Sequence, residues 1–132
     1  MTAVHHIELW VPDIAGARRR WAWVLAQLAW VDFQDWPGGH SWQAADGTYL
    51  VIEQSVDLTG ARHERTLPGL NHLALTAESI AVVDAIVAGA GEFGWRLLFP
   101  DRHPHAGGAG HYAAFLVDDD GYELEIVAPT LT

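Results

Sequence analysis

Hydrophobic and polar residues alternate at the start of the chain, from His5 to Val11, as in a β-strand with one buried face. Pro12 and Asp13 end this strand, and Asp13 is a favoured helix N-cap. Apolar residues then recur at helical spacing as far as about Leu28. The opening pattern therefore predicts a strand followed by an amphipathic helix.

The same order of elements recurs in the second half of the chain. Residues 71–76 alternate as a strand, and Ser79 is the next N-cap candidate. The apolar residues that follow Ser79 have helical spacing. We expect this helix to stop at residues 89–91, because glycines commonly end helices.

Each half then ends in a predicted hairpin. The first turns at Asp46-Gly47, a strong signal for a two-residue turn, and the second turns at residues 118–121. The flanking strand segments are 41–44 and 49–53 in the first half, and 112–117 and 122–127 in the second. Both halves therefore begin with a His-containing strand and finish with a Glu-containing strand.

The repeat predicts an α+β fold made of two βαβββ modules, whose sheets form an incomplete β-barrel around a cavity. A chain of 132 residues suits one domain with a single core. We therefore expect one domain over residues 1–132. Its predicted parts are module 1 at about 4–53, a linker at 54–70, and module 2 at about 71–128.

Composition excludes several classes of function. The chain has no cysteine, so a metal ion would need His, Asp or Glu ligands, and it has no lysine, which excludes Schiff-base chemistry. The formal net charge of −10 argues against nucleic-acid binding. No apolar run approaches the ~20 residues that span a bilayer, and no secretory signal is recognisable, so we expect a cytoplasmic protein. Seven tryptophans favour an apolar or flat ligand.

Four segments carry a more specific signal: His6-x-x-Leu9-x-Val11-x-Asp13, Leu50-Val51-Ile52-Glu53, Asn71-His72-Leu73-Ala74-Leu75, and Asp120-Gly121-Tyr122-Glu123-Leu124-Glu125. In this order they resemble the glyoxalase/bleomycin resistance protein/dioxygenase superfamily, the vicinal oxygen chelate proteins, over nearly the whole chain. The resemblance implies one divalent metal ion held by the first and last strands of each module. The implied ligands are His6, Glu53, His72 and Glu125.

Two imidazoles and two carboxylates suit Zn²⁺, Ni²⁺, Mn²⁺, Fe²⁺ or Co²⁺, and the sequence does not choose among them. A plainer interpretation is that the histidines are hydrogen-bonded strand residues and the glutamates face solvent. His5, next to His6, is expected on the opposite strand face.

Strand alternation extends the predicted cavity. Trp10 shares the face of His6, and a two-residue turn at Asp46-Gly47 would place His40, Trp42 and Tyr49 on the face of Glu53. Tyr112 joins them only if the second hairpin pairs odd with even positions. The resulting pocket is aromatic and acidic, and no arginine can be placed in it.

Residues 99–111 are rich in Gly and Pro, and we expect a loop that covers the cavity mouth. Its three histidines could form a second metal site, but solvent or substrate contact fits such dense glycine better.

The leading functional hypothesis is a metal-dependent enzyme acting on a small oxygenated, apolar or aromatic molecule, with Glu53 or Glu125 as general base. Proton transfer of the isomerase or lyase type ranks above oxygenation, because a facial triad needs only one carboxylate. The resemblance implies an alternative, a protein that sequesters an aromatic natural product without turnover. A third hypothesis is an interaction domain with no small-molecule role. We expect a homodimer, because open sheet edges are usually paired or covered.

Overall fold

The computed structural model describes residues 2–130. The chain divides into two compact units between Arg62 and His63, inside the predicted linker. The elements of unit 1 are β1 His6–Trp10, α1 Ile14–Gln27, β2 Val31–Trp36, β3 Gly39–Gln43 and β4 Tyr49–Glu53. Those of unit 2 are β5 Leu73–Thr76, α2 Ile80–Gly89, β6 Trp95–Leu97, β7 Ala113–Asp118 and β8 Glu123–Val127.

Each unit contains one four-stranded sheet of the same topology. The strand order is β1-β4-β3-β2 in unit 1 and β5-β8-β7-β6 in unit 2. The first strand pairs in parallel with the last, and the other pairs are antiparallel. The α+β class and the two βαβββ modules are confirmed.

The helix of unit 1 begins where the sequence predicts it. Asp13 is the N-cap residue in extended conformation, although its side chain makes no capping hydrogen bond. The residues buried on α1 are Ala17, Trp21, Val24 and Leu25. Their spacing forms one apolar stripe, which packs on β3 and β4.

The helix of unit 2 is capped by Ser79, whose hydroxyl accepts a hydrogen bond from the Val82 N–H at 3.2 Å. The α-helix ends at Gly89, and a short 3-10 turn over Ala90–Phe93 follows. Gly94 closes this turn with φ 86°, in the left-handed region that glycine favours. The α-helix therefore ends within the predicted stop at 89–91, and the 3-10 turn carries the chain on to Gly94.

Both hairpins turn through three residues, and this corrects the register predicted for the first hairpin. The Ala44 N–H donates to the Thr48 carbonyl at 2.9 Å, and the Asp118 N–H donates to the Tyr122 carbonyl at 3.1 Å. The third loop residue is Gly47 or Gly121, with φ 96° and 91° respectively. Three-residue loops that end in a left-handed glycine are a common hairpin type. A one-residue change of register moves every side chain of the partner strand to the other face.

None of the helices over residues 2–130 has the length and apolar character needed to cross a bilayer.

Candidate functional site

One face of the unit 1 sheet carries several of the predicted site residues. His6 pairs with Tyr49, and Trp10 pairs with Glu53, so these four side chains share the face that α1 does not cover. The His6 ring stacks on the Tyr49 ring with centroids 4.7 Å apart and an interplanar angle of 6°. The Trp10 indole N–H donates to Glu8 Oε2 at 2.7 Å, and 38% of Trp10 is exposed. The shared face of His6, Trp10, Tyr49 and Glu53 therefore agrees with the sequence argument.

His40 and Trp42 lie on the opposite face, against α1. The structure pairs His40 with Ile52 and Trp42 with Leu50, one residue away from the predicted register. Trp42 is buried, and His40 Nε2 lies 2.7 Å from Asp32 Oδ1. The prediction that these two residues share the face of Glu53 is therefore wrong, because the first turn holds three residues.

Other side chains occupy the positions opposite β4, and the sequence argument missed them. Ser41 pairs with Val51, and the Gln34 N–H donates to its hydroxyl at 3.0 Å. The β2–β3 register shifts between Asp32 and Gln34, which brings Phe33 onto the same face. The Phe33 ring lies 5.1 Å from the Tyr49 ring, and 44% of Phe33 is exposed. Bulges of this kind leave no reliable signal in a single sequence.

His5 also differs from its predicted placement. It precedes β1, and its Nδ1 lies 2.8 Å from Nδ1 of His6. The His5 ring also packs edge-on against Tyr49. His5 is therefore a neighbour of His6 and not a residue of the far face.

The two predicted glutamates occupy different places in the repeated module. In unit 1 the Val11 N–H, just after β1, donates to the Glu53 carbonyl at 2.8 Å. In unit 2 the Ala77 N–H, just after β5, donates to the Val127 carbonyl at 2.8 Å. Glu53 therefore corresponds to Val127, whereas Glu125 corresponds to Val51. His6 pairs four residues before Glu53 along β4, which is about 13 Å at the strand rise per residue. Within unit 1, His6 and Glu53 do not form a chelating pair.

In unit 2 the predicted histidine and glutamate do meet. Ala74 pairs with Glu125, which places Glu125 beside His72 on one face of the sheet. His72 Nε2 lies 3.0 Å from Glu125 Oε1, and only 6% of Glu125 is exposed. Parallel pairing of β5 with β8 thus places a half-buried imidazole against a buried carboxylate.

Asn71 fixes the orientation and tautomer of His72. Its amide N–H donates to the Arg65 carbonyl at 3.1 Å, which turns Oδ1 toward His72 Nδ1 at 2.7 Å. The proton of a neutral His72 ring therefore lies on Nδ1, and the Nε2 lone pair faces the Glu125 carboxylate. His72 Nε2 and Glu125 Oε1 are then two acceptors 3.0 Å apart, which need a proton or a cation between them.

An arginine does lie beside this pair, contrary to the sequence argument. Arg65 Nη1 makes an ion pair with Glu123 Oε1 at 2.8 Å, and the Glu123 side chain is only 3% exposed. Glu123 Oε2 in turn lies 3.8 Å from His72 Nδ1. The arginine charge is thus directed at a protein carboxylate, which leaves the predicted acidic character of the site in place.

Tyr112 lies away from Glu125. The second hairpin pairs Phe115 with Glu125, so odd positions face odd positions, and the condition for an inward Tyr112 is not met. The Tyr112 hydroxyl instead donates to Asp84 Oδ1 of α2 at 2.5 Å. This hydrogen bond, aided by partial burial and the negative charge of Asp84, raises the pKa of Tyr112 above its ordinary value.

His111 is the site residue that the sequence argument did not place. Phe115 shares the face of Glu125, and His111, four residues earlier, lies on the same side. Its Nε2 contacts Glu125 Oε2, the oxygen that His72 does not touch. The Glu125 carboxylate is therefore engaged by an imidazole at each oxygen.

The donor chemistry of unit 2 suits a first-row divalent metal ion. His72 supplies an oriented imidazole lone pair and Glu125 a buried carboxylate, both common ligands of such ions. Across residues 2–130, no group of three or more His, Asp or Glu side chains is arranged to hold a metal ion. His72 and Glu125 therefore provide two ligands for such an ion.

Known proteins resemble the chain over most of its length. The model of the Glyoxalase/Bleomycin resistance protein/Dioxygenase superfamily matches residues 5–115. The uncharacterised protein YqjT of Bacillus subtilis is 44% identical over 128 residues, covering 96% of this chain and 99% of YqjT.

Solved structures share the fold. A glyoxalase-type protein from Bacillus halodurans is 39% identical, with a TM-score of 0.89 over 96% of each chain. A glyoxalase/bleomycin resistance protein from Albidiferax ferrireducens is 17% identical, with a TM-score of 0.77 over 97% of this chain and 99% of its own. The fosfomycin resistance protein FosX from Listeria monocytogenes is 19% identical, with a TM-score of 0.66 over 99% and 94%.

Proposed function

The chain belongs to the Glyoxalase/Bleomycin resistance protein/Dioxygenase superfamily, and from that membership we propose that it is a divalent-metal-dependent enzyme acting on a small oxygenated molecule. The observation that carries the proposal is the pairing of His72 with the buried Glu125 carboxylate, in which two electron-pair donors face each other at 3.0 Å. A cation between them satisfies both donors at once.

The proposed metal ligands are His72 and Glu125, joined by His6. His72 is held in the competent tautomer by Asn71, and Glu125 is engaged at both oxygens. His6 enters the set through the family resemblance and is tested below. Glu53, which the sequence also offered as a ligand, is assigned to proton transfer because its register separates it from His6.

A divalent ion, when bound, polarises a carbonyl oxygen of the substrate. Glu53 is half-buried, and no side chain among residues 2–130 makes a hydrogen bond or ion pair with its carboxylate. That freedom lets it take a proton from the carbon next to the carbonyl and return it at a neighbouring position. Glu125 is the poorer base, since both of its oxygens are occupied. An isomerase or lyase reaction uses this second carboxylate, whereas oxygenation leaves it without a role.

The substrate class follows from the open face of unit 1. Trp10, Phe33 and Tyr49 expose aromatic surface on the face that carries Glu53. The arginines of this unit are not among these face residues, and Arg18 binds Asp35 and two backbone carbonyls beside α1. An apolar or aromatic molecule with neighbouring oxygens suits such a surface better than a phosphonate or another anion.

Metal binding by untagged protein tests the proposal. We expect about one first-row divalent ion per chain after purification or reconstitution, and loss of that ion in His72→Ala and His6→Ala. Protein that stays substoichiometric with every ion from Mn²⁺ to Zn²⁺ would overturn the enzyme proposal.

A second candidate function is sequestration of an aromatic natural product without turnover. The observation that favours it is the same aromatic face, with Trp10 38% and Phe33 44% exposed. Titration of the tryptophan fluorescence with aromatic antibiotics separates the two functions. Quenching with no chemical change in the ligand supports the binding protein, and turnover supports the enzyme.

We also propose that the protein is a homodimer. In the unit 1 sheet, β2 is an edge strand, and its Val31 is a large hydrophobic residue that is 62% exposed. An edge of this kind is usually covered by another chain or element. Sedimentation velocity tests this, and a monomer at micromolar concentration with metal bound would contradict it.

A further inference from the structure

The Glu125 carboxylate is held from two directions by elements far apart in sequence. Its Oε1 faces His72 at the start of β5, and its Oε2 contacts Nε2 of His111, in the loop before β7. We propose that His111 is a positioning residue, which holds Glu125 in place for the metal ion and ties the 99–111 loop to the site. This proposal rests on the proposed function only in taking Oε1 as the metal-facing oxygen.

The loop is built around the His111 ring. A Cβ at Gly107 would lie 2.7 Å from His111 Cδ2 and 3.5 Å from Cζ of Phe115, closer to the imidazole than real Cβ atoms come. Only glycine at position 107 lets the backbone pass over the ring where it now lies. Although the loop is rich in glycine, its backbone at Gly107 therefore packs closely against the His111 imidazole.

The His111 backbone is also anchored. Its N–H donates to the Gly108 carbonyl at 3.1 Å, and its carbonyl accepts a hydrogen bond from the His105 ring at 3.3 Å. Two histidines of the loop thus work together, because His105 holds the main chain of the residue that reaches Glu125. Two of the three histidines in the loop therefore have a structural role that does not require a second metal site.

The chemical consequence concerns both carboxylate oxygens. An Nε2–H of His111 that donates to Oε2 occupies that oxygen and leaves Oε1 to face the ion, so Glu125 binds through one oxygen in a fixed orientation. Partners of this kind commonly change metal affinity by about 10- to 100-fold when they are removed. Displacement of the loop would release Glu125, so the loop position and the metal affinity are coupled.

Four variants isolate this role without touching a proposed ligand. His111→Ala removes the ring, and His111→Gln keeps an N–H donor. Gly107→Ala displaces an intact ring, and Gly110→Ala is its matched control, since a Cβ at Gly110 meets nothing within 4 Å. Co²⁺ affinity is measured by its visible absorption, with far-UV circular dichroism as the check on folding.

We expect His111→Ala and Gly107→Ala to weaken Co²⁺ binding by about 10- to 100-fold. Gly110→Ala should match the native protein, and His111→Gln should retain most of the affinity. Equal affinity in His111→Ala and the native protein would overturn the proposal. If Gly107→Ala does not fold, the His111→Ala and His111→Gln pair still decides it.

A second measurement separates this proposal from the proposed function. In metal-free protein, the His111 Nε2–H should give a slowly exchanging proton resonance that persists in Gly110→Ala and disappears in Gly107→Ala. Native protein that binds no divalent ion but shows this resonance refutes the metal proposal and leaves the positioning contact standing. Absence of the resonance from the native protein overturns the contact itself.

Discussion

Removal of Arg65 should destabilise the protein far more than removal of a comparable surface arginine. Arg65 Nη1 pairs with Glu123 Oε1 at 2.8 Å, and only 3% of the Glu123 side chain is exposed. At an effective dielectric constant near 20, such a pair attracts by about 6 kcal/mol, and partial desolvation of Arg65 offsets part of this. Arg65→Ala strands the carboxylate, and breaking a buried pair in this way costs about 3–5 kcal/mol.

Urea unfolding followed by circular dichroism measures this change. The matched control is Arg96→Ala on β6, whose side chain is exposed, and it should change the free energy of unfolding by no more than about 0.5 kcal/mol. The double variant Arg65→Ala with Glu123→Met should recover much of the stability, because an apolar side chain replaces the stranded charge. Equal effects of Arg65→Ala and Arg96→Ala would refute the assignment of a buried ion pair.

Two further predictions concern the proposed site, and a third concerns the hydrogen bond between Tyr112 and Asp84. Glu125→Gln should abolish tight metal binding, whereas Glu53→Gln should bind metal normally and lower turnover by about 10²- to 10⁴-fold, the usual contribution of a general base; similar metal loss in both would contradict the division of roles. Asn71→Ala should weaken metal binding by about tenfold in isothermal titration, since the imidazole it orients loses its Nδ1 acceptor; unchanged affinity would show that the tautomer is set otherwise. Absorbance at 295 nm should show Tyr112 ionising above pH 10, because the hydrogen bond to Asp84 raises its pKa, and Asp84→Asn should lower that pKa toward 10. The stabilisation from this bond is present below pH 10 and is lost as the pH rises through the folded pKa, so a Tyr112 pKa unaffected by Asp84→Asn would contradict it.

The order of elements was readable from the sequence because it depends on local signals. Hydrophobic periodicity, the cap at Ser79 and the helix start after Asp13 all act over a few residues. His72 and Glu125 were named through the family resemblance, and the parallel pairing of β5 with β8 brings the two side chains together. The α+β class therefore follows from patterns that need no three-dimensional information.

Hairpin register was not predictable at the same level. Asp46-Gly47 is compatible with a two-residue and a three-residue loop, and only the backbone bond from Ala44 to Thr48 decides between them. That single residue moves Trp42 from the predicted ligand face to the core beneath α1. Side chains do alternate between the two faces of each strand, but the predicted pairing of β3 with β4 is wrong by one residue.

Contacts made by irregular backbone were beyond reach for a different reason. His111 reaches Glu125 because the loop folds back over its ring at Gly107, and no periodic pattern encodes that path. The reason for a glycine at position 107 is therefore visible only in the three-dimensional structure, where the backbone passes close to the His111 ring.

The different positions of the two glutamates give two modules of the same topology different chemistry. Val51 occupies in unit 1 the place that Glu125 occupies in unit 2, so one copy presents apolar surface where the other presents charge. A duplicated scaffold of this kind allows its two halves to be re-engineered separately. Ligand preference should be tunable at Phe33 of unit 1, while the His72–Glu125 contact of unit 2 is left unchanged. Val51→Glu would test how far the symmetry extends, since it installs beside His6 the arrangement that unit 2 already uses.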